Sequence, residues 1–132
     1  MFRLAMPLLL IGVAVATGGA TDQRQSAAER AQAKIAHALE GMTAGAPRDC
    51  IPRERMGEAR QFPDTILYVE GRKRVWRNDV VGHCAGLGQD DLMVVTSPTG
   101  QLCRGDLITT RARVGGMITG SCSLGRFVPY SK

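Results

Sequence analysis

The chain has 132 residues, 44% of them hydrophobic and 22% charged, which excludes a disordered polar chain and allows one small domain. Aromatic residues make up only 5%, with Trp76 the sole tryptophan, so few rings are on hand to stack a planar ligand. Seventeen Lys and Arg against twelve Asp and Glu give a net charge of +5, and fourteen of the seventeen cations are Arg.

Residues 1–20 read as a secretory signal peptide. Met1-Phe2-Arg3 is a short basic start, Leu4 to Ala16 is a nearly unbroken apolar run, and small residues follow at Ala14-Val15-Ala16 and Gly18-Gly19-Ala20. The run is shorter than the roughly 20 apolar residues that span a bilayer, so cleavage after Ala16 or Ala20 is expected rather than anchoring. The first Cys is Cys50, far from either cut, which argues against a lipid-anchored N-terminus. The expected product is periplasmic or secreted and soluble, with no transmembrane segment once the signal is removed. Arg3 is the only charge lost, so the basic balance belongs to the mature protein.

Residues 21–42 predict a helix. Thr21 or Asp22 can cap it, and Ala28, Ala31, Ile35, Leu39 and Met42 recur at three- and four-residue steps. The stripe is mostly Ala and buries little area, so the helix is expected outside the main core and frayed. Gly41 and Thr43-Ala44-Gly45-Ala46-Pro47 read as a flexible connector. Residues 21–47 thus form a helix and linker, and residues 48–132 a separate β domain.

In that domain short apolar runs alternate with turns. Residues 65–69 are β-branched and aromatic, Glu70-Gly71-Arg72-Lys73 turns the chain, and residues 74–77 return it. Residues 92–96 are a further strand, closed by Ser97-Pro98-Thr99-Gly100 in the pattern of a type I turn. Residues 107–114 and 117–122 flank Gly115-Gly116, a hairpin signal because primed turns need positive φ. Residues 126–128 add a last strand. The predicted fold is mainly β: a small antiparallel sheet or partly open barrel of five to six short strands, stapled by disulfides, with one helix outside it.

Cys50, Cys84, Cys103 and Cys122 are an even set in an exported domain, which predicts two disulfides. Four Cys allow three pairings. The nested one is expected, Cys50 with Cys122 at the ends of the β region and Cys84 with Cys103 around the strand at 92–96. A metal site needs closely spaced ligand pairs, and here only His83-Cys84 is local, so no metal is expected. A Cys nucleophile is disfavoured by export and by the placement of His83 beside Cys84, since neighbours in extended chain point to opposite sides.

His83 with an acid such as Asp106 is the one catalytic pairing on offer, and His37 reads as a solvated helix residue. Asp90-Asp91 reads as turn chemistry, and Asp106 as a carboxylate that bonds local backbone amides. No Gly-x-Ser-x-Gly elbow, P-loop or dinucleotide fingerprint occurs, so no cofactor is expected. The arginines are the stronger signal. Arg72, Lys73, Arg74 and Arg77 cluster at the first hairpin, and Arg111 and Arg113 are expected on one face of their strand, opposite Ile108, Ala112 and Val114. Such residues suit capture of phosphate or carboxylate on an anionic envelope component or an acidic protein. Nucleic acid is not expected, because export removes the usual targets.

Several short motifs stand in order: Cys50-Ile51, Thr65-Ile66-Leu67-Tyr68, Arg77-Asn78, Cys84-Ala85-Gly86-Leu87, Leu102-Cys103-Arg104-Gly105-Asp106 and Cys122-Ser123-Leu124-Gly125-Arg126-Phe127. With them, residues 48–129 resemble a proteobacterial family of small exported proteins known as a domain of unknown function. The resemblance implies that the β region is the unit and the helix a variable appendage, and it brings no activity or cofactor. Some relatives look like lipoproteins, and this chain departs from them in lacking a Cys at the cleavage site. The expectation is an exported, noncatalytic domain that binds at the cell envelope through an Arg-rich face. Alternatives are a small envelope enzyme using His83, or an inhibitor whose basic hairpin plugs the acidic cleft of an exported hydrolase.

Overall fold

Thr65-Ile66-Leu67-Tyr68 is buried at four successive positions, on both faces of its strand, and the layers of the molecule follow from that run. The computed structural model describes residues 19–132; the expected signal peptide lies outside the described residues except for its last two positions. The described residues open with helix α1 (Gly19–Ala38) and continue through β1 (Thr43–Ala44), β2 (Cys50–Ile51), β3 (Glu58–Phe62), β4 (Thr65–Glu70), β5 (Arg74–Asp79) and β6 (Val81–His83). Then come β7 (Leu92–Thr96), β8 (Leu102–Cys103), β9 (Leu107–Arg111), β10 (Ile118–Ser123) and β11 (Phe127–Ser131).

All the pairings are antiparallel. They make a five-stranded sheet in the order β1-β11-β5-β4-β3, a four-stranded sheet in the order β6-β10-β9-β7, and a ribbon of β2 with β8. Among the described residues the fold is mainly β with one α-helix outside the sheets, as the sequence predicts, and no sheet closes into a barrel. Between the two larger sheets lies the main core. Ile66, Tyr68, Trp76 and Phe127 come from one side, Ile108 and Cys122 from the other, and Ile51 and Leu102 from the ribbon. Asn78, fully buried among them, donates from Nδ2 to the Gly125 carbonyl at 2.8 Å and accepts from the Gly125 N–H at 2.9 Å.

The far face of the five-stranded sheet is covered by α1. Ile35 and Leu39 pack on Leu67, with Val75, Tyr130 and Phe62 around them. Two apolar side chains at the C-terminal end of the stripe therefore dock a helix that its alanines alone would hold weakly. The helix ends at Ala38 rather than at residue 42, and Gly41 turns the chain at φ +74°. The segment expected as a flexible connector is instead an edge strand. Thr43 and Ala44 lie opposite Ser131 and Tyr130, and the Gly45 N–H donates to the Pro129 carbonyl at 2.7 Å, because β11 leaves an open edge that backbone groups must fill.

The two disulfides are Cys50–Cys103 and Cys84–Cys122, which corrects the nested pairing. Strand pairing decides it. β2 sets Cys50 directly opposite Cys103, and β6 runs beside β10 with Gly82 opposite Cys122, leaving Cys84 within reach of Cys122. The hairpin at Gly115-Gly116 forms with both glycines at positive φ, but its loop is wider than predicted. β9 stops at Arg111, and the Ala112 N–H donates to Met117 to close a loop over residues 112–117.

Candidate functional site

In the four-stranded sheet the registers align three cross-strand rows on the outer face. Leu92, Arg111 and Ile118 form one, Val94, Thr109, Ser121 and His83 the next, and Thr96, Leu107, Ser123 and Val81 the third. The intervening positions point to the core, where Ile108 and Thr110 are fully buried. Leu92, Val94, Leu107, Ile118 and Val81 are all exposed. So are Val114 (91%) and Met117 (74%) in the loop that joins β9 to β10. Every large exposed apolar side chain among the described residues thus belongs to this one sheet or its loop. The strands β6, β7, β9 and β10 contain no Asp or Glu, and Arg111 stands between Leu92 and Ile118. The face is apolar and cationic.

The arginines expected to share a surface are divided between two sheets. Arg72 and Lys73 project from the exposed turn between β4 and β5. Arg74 lies 4.0 Å from Glu70 and 5.7 Å from the Trp76 ring centroid, and Arg77 is paired with Asp79 at 3.2 Å. On the other sheet Arg111 keeps its place on a strand. Arg113 does not; it lies in the loop, donates to the Asp90 carbonyl at 2.8 Å and sits 3.5 Å from the Asp90 carboxylate. Val114, expected on the same strand face as Ile108, lies beyond the strand, which ends three residues before it, and is exposed.

His83 is held by a carboxylate, but not by Asp106. Its Nδ1 is 2.8 Å from Asp64, whose carboxylate also accepts from the Cys84 N–H at 3.3 Å. Asp64 occupies the tight Pro63-Asp64 turn between β3 and β4 at φ +54°, a left-handed conformation that Asp tolerates better than most residues. The imidazole is exposed, and one wall of an open hollow of about 450 Å³ runs past it to Ala27 and Ala28 of α1. Asp106 accepts from the Cys103 N–H at 2.9 Å and so closes a local turn, the backbone role read for it in the sequence. His37, exposed on α1, is 3.3 Å from Glu40.

The motifs that carry the family resemblance serve packing. Gly86 sits where a Cβ would meet the Thr110 and Thr119 hydroxyls, and Gly125 where it would meet the Asp79 carbonyl. Leu87, Leu124 and Phe127 are core. Thr119 donates to Asp91 at 2.7 Å, with its oxygen 3.0 Å from Thr110, fixing the loop before β7 to the sheet.

Between the edge strands β3 and β7 lies a cleft of about 280 Å³, lined by Met56, Ala59, Met93, Val95 and Leu102 with Arg53 and Tyr68. Tyr68 is 4% exposed, and its hydroxyl has no hydrogen-bond partner in the described structure. Burial holds this hydroxyl protonated well above the ordinary tyrosine range; the Arg53 charge opposes that and the Asp106 charge adds to it. Of the outer-face residues Arg111 and His83 stand out in the sequence; Tyr68 and the apolar residues of that face do not. The available signal was Leu92-Met93-Val94-Val95, apolar at four successive positions and so apolar on both faces of its strand. Among the described residues no cluster of three or more His, Cys, Asp or Glu is placed to hold a metal ion, and no helix is long and apolar enough to cross a membrane. Comparison with protein-family models, with curated proteins and with solved structures finds no match to this chain.

Proposed function

We propose that the chain is an exported, noncatalytic binding domain of the cell envelope, kin to the small exported family it resembles, and that it docks on anionic phospholipid through the outer face of its four-stranded sheet. The observation that carries this reading is Arg111 set among Leu92, Val94, Leu107, Ile118 and Val81 on strands without a carboxylate. Exposed apolar side chains gathered on one sheet face in this way mark a contact site. Val114 and Met117, at the far end of the β9–β10 loop, enter the boundary between headgroups and acyl chains. Arg111 then meets the phosphates, which the guanidinium fork fits well, while Arg113 stays with Asp90. Arg72, Lys73, Arg74 and Arg77 add to the positive field that draws the protein to a negative surface.

Sedimentation with vesicles tests this. The mature protein, disulfides intact, is expected to bind phosphatidylglycerol vesicles at low salt, to leave phosphatidylcholine vesicles in solution, and to be released as salt rises. Val114→Ser with Met117→Ser should reduce binding at least tenfold, and Arg111→Glu should remove most of the preference for anionic lipid. No binding at low salt, or capture of an acidic envelope protein in its place, overturns the lipid assignment.

A second reading rests on the Asp64–His83 contact. In an oriented pair of this kind the carboxylate fixes the imidazole and leaves Nε2 to act as a base. That reading requires turnover of ester or amide substrates that His83→Gln abolishes without loss of vesicle binding. The absence of turnover by the native protein discards it.

A further inference from the structure

We infer that the cleft between β3 and β7 is a binding site for an apolar-tailed monocarboxylate, of the class of a medium-chain fatty acid, whose carboxylate is gripped by Arg53 and Tyr68. The cleft is separate from the outer face of the four-stranded sheet, and the inference does not rest on lipid docking there.

Three features of the cleft converge. Its lining is mostly apolar and partly flexible, with Met56 and Met93 facing Val95, Leu102 and Ala59, and thioether side chains adapt to a linear chain. Its volume of about 280 Å³ is near the lower end of small-ligand pockets, roughly 300–1,000 Å³, which fits one short chain and no bulky ring system. Its polar groups are unsatisfied in a way that asks for an anion. The Tyr68 hydroxyl is buried without a partner, a costly state for a donor that an incoming carboxylate oxygen relieves. Arg53 has one hydrogen bond, from Nη2 to the Val95 carbonyl at 3.3 Å, and a guanidinium has five N–H groups to give. The one acid in the lining, Glu58, is engaged by Arg60 at 3.2 Å, and Asp106, whose charge reaches Tyr68, accepts from the Cys103 N–H at 2.9 Å. The Tyr68 hydroxyl, like any tyrosine hydroxyl, is protonated and therefore a donor at neutral pH. A cation and a buried donor that line one apolar trough recognise a carboxylate with a hydrocarbon tail.

Titration calorimetry of the mature, disulfide-intact protein with decanoate, decanol and decylamine tests this. Decanoate is expected to bind with one-to-one stoichiometry, at least tenfold more tightly than decanol, and decylamine not at all. Tyr68→Phe and Arg53→Gln should each weaken decanoate at least fivefold, and Ala59→Trp, which fills the trough, should abolish binding. Circular dichroism melts confirm that each variant is folded. Tyr68→Phe retains the ring and loses only an unpaired hydroxyl, so its folding is secure and its affinity reports the head-group contact. Equal binding of decanol or decylamine, no binding of decanoate, or full affinity in Ala59→Trp overturns the assignment. Vesicle binding by Tyr68→Phe stays at the native level, which separates this test from that of the docking face.

Discussion

Both large sheets are built from strands with apolar residues at successive positions, yet only one of them is covered on both sides. In the five-stranded sheet, Ile66 and Tyr68 of β4 face the main core while Leu67 faces α1, and all three are buried. In the four-stranded sheet, Met93 and Val95 of β7 pack against the core while Leu92 and Val94 look outward into solvent. The same pattern of side chains thus meets a helix in one case and solvent in the other. An antiparallel sheet with one wet face normally alternates apolar with polar residues. Strands that fail to alternate are matched to a second covering layer. For β4 that layer is in the chain; for β7 an outside surface is the proposed one.

Reducing the disulfides gives the largest expected effect and tests what holds the two sheets to their surroundings. Cys84–Cys122 joins the end of β6 to β10 across 38 residues, and Cys50–Cys103 closes 53 residues through the ribbon. Each bridge should contribute about 2–5 kcal/mol, so full reduction is expected to lower Tm by tens of degrees or unfold the domain at 37 °C. Peptide mapping under non-reducing conditions should recover the crossed pairs and no peptide linking Cys50 to Cys122. The next effect separates the sheets directly. Leu67→Ala removes a side chain held between β4 and α1, and a loss of about 2–5 kcal/mol is expected by urea unfolding. A loss below about 1 kcal/mol would mean that α1 does not cover the sheet.

Much of this contrast is legible in the sequence. The six predicted strands appear at β4, β5, β7, β9, β10 and β11, because each carries β-branched or apolar residues between turn signals. Glu58–Phe62 could not be read as a strand, since Glu58, Arg60 and Gln61 are polar and the segment forms only because β4 offers it an open edge. β1, β2, β6 and β8 are two or three residues long and owe their conformation to partners distant in the chain. The disulfide pairing was hidden for the same reason. It depends on β2 meeting β8, a ribbon of only two residues on each side, Cys50 and Ile51 with Leu102 and Cys103. For the candidate sites, Arg111 and His83 were visible as residue types. The partner of His83 was not, because Asp64 reaches it across 19 positions from a strained turn. The bare face is not legible because Leu92, Val94, Ile118 and Val81 come together only through the pairing of β7, β9, β10 and β6.

A smaller effect concerns the inner face of β4, where Tyr68 carries a hydroxyl without a partner. Replacing an unpaired buried hydroxyl by hydrogen costs little, so Tyr68→Phe should change stability at pH 7 by less than about 1 kcal/mol, in the stabilising direction. The pH dependence follows from the direction of the shift. In the unfolded chain Tyr68 loses its proton around its ordinary value of 10.0, whereas the folded protein holds it to higher pH. The stabilisation is therefore complete below pH 10 and falls as pH rises above it, since ionisation favours the unfolded chain. Tyr68→Phe removes that contribution, so the variant should lose less stability than the native protein between neutral pH and pH 11, a difference read by melting at each pH.

The smallest expected effect is the most discriminating. Val94 and Leu107 lie in adjacent outer-face rows of the four-stranded sheet and are already about half exposed, at 46% and 49%. Val94→Ser and Leu107→Ser remove methyl groups from water-facing positions, where most of the hydrophobic transfer was never gained. Each is expected to shift unfolding by no more than about 0.5 kcal/mol, a tenth of the upper figure for Leu67→Ala. Solubility should rise while vesicle binding falls, because the same side chains that are idle in folding make the proposed contact. A loss of about 2 kcal/mol or more at either position would place these side chains in a core, formed with a second copy or a further layer. In that case the face is already closed in solution, and dilution should reveal a concentration-dependent Tm. Unchanged stability together with unchanged vesicle binding would leave the apolar face without the role proposed for it, and the contrast with β4 would then be one of composition alone.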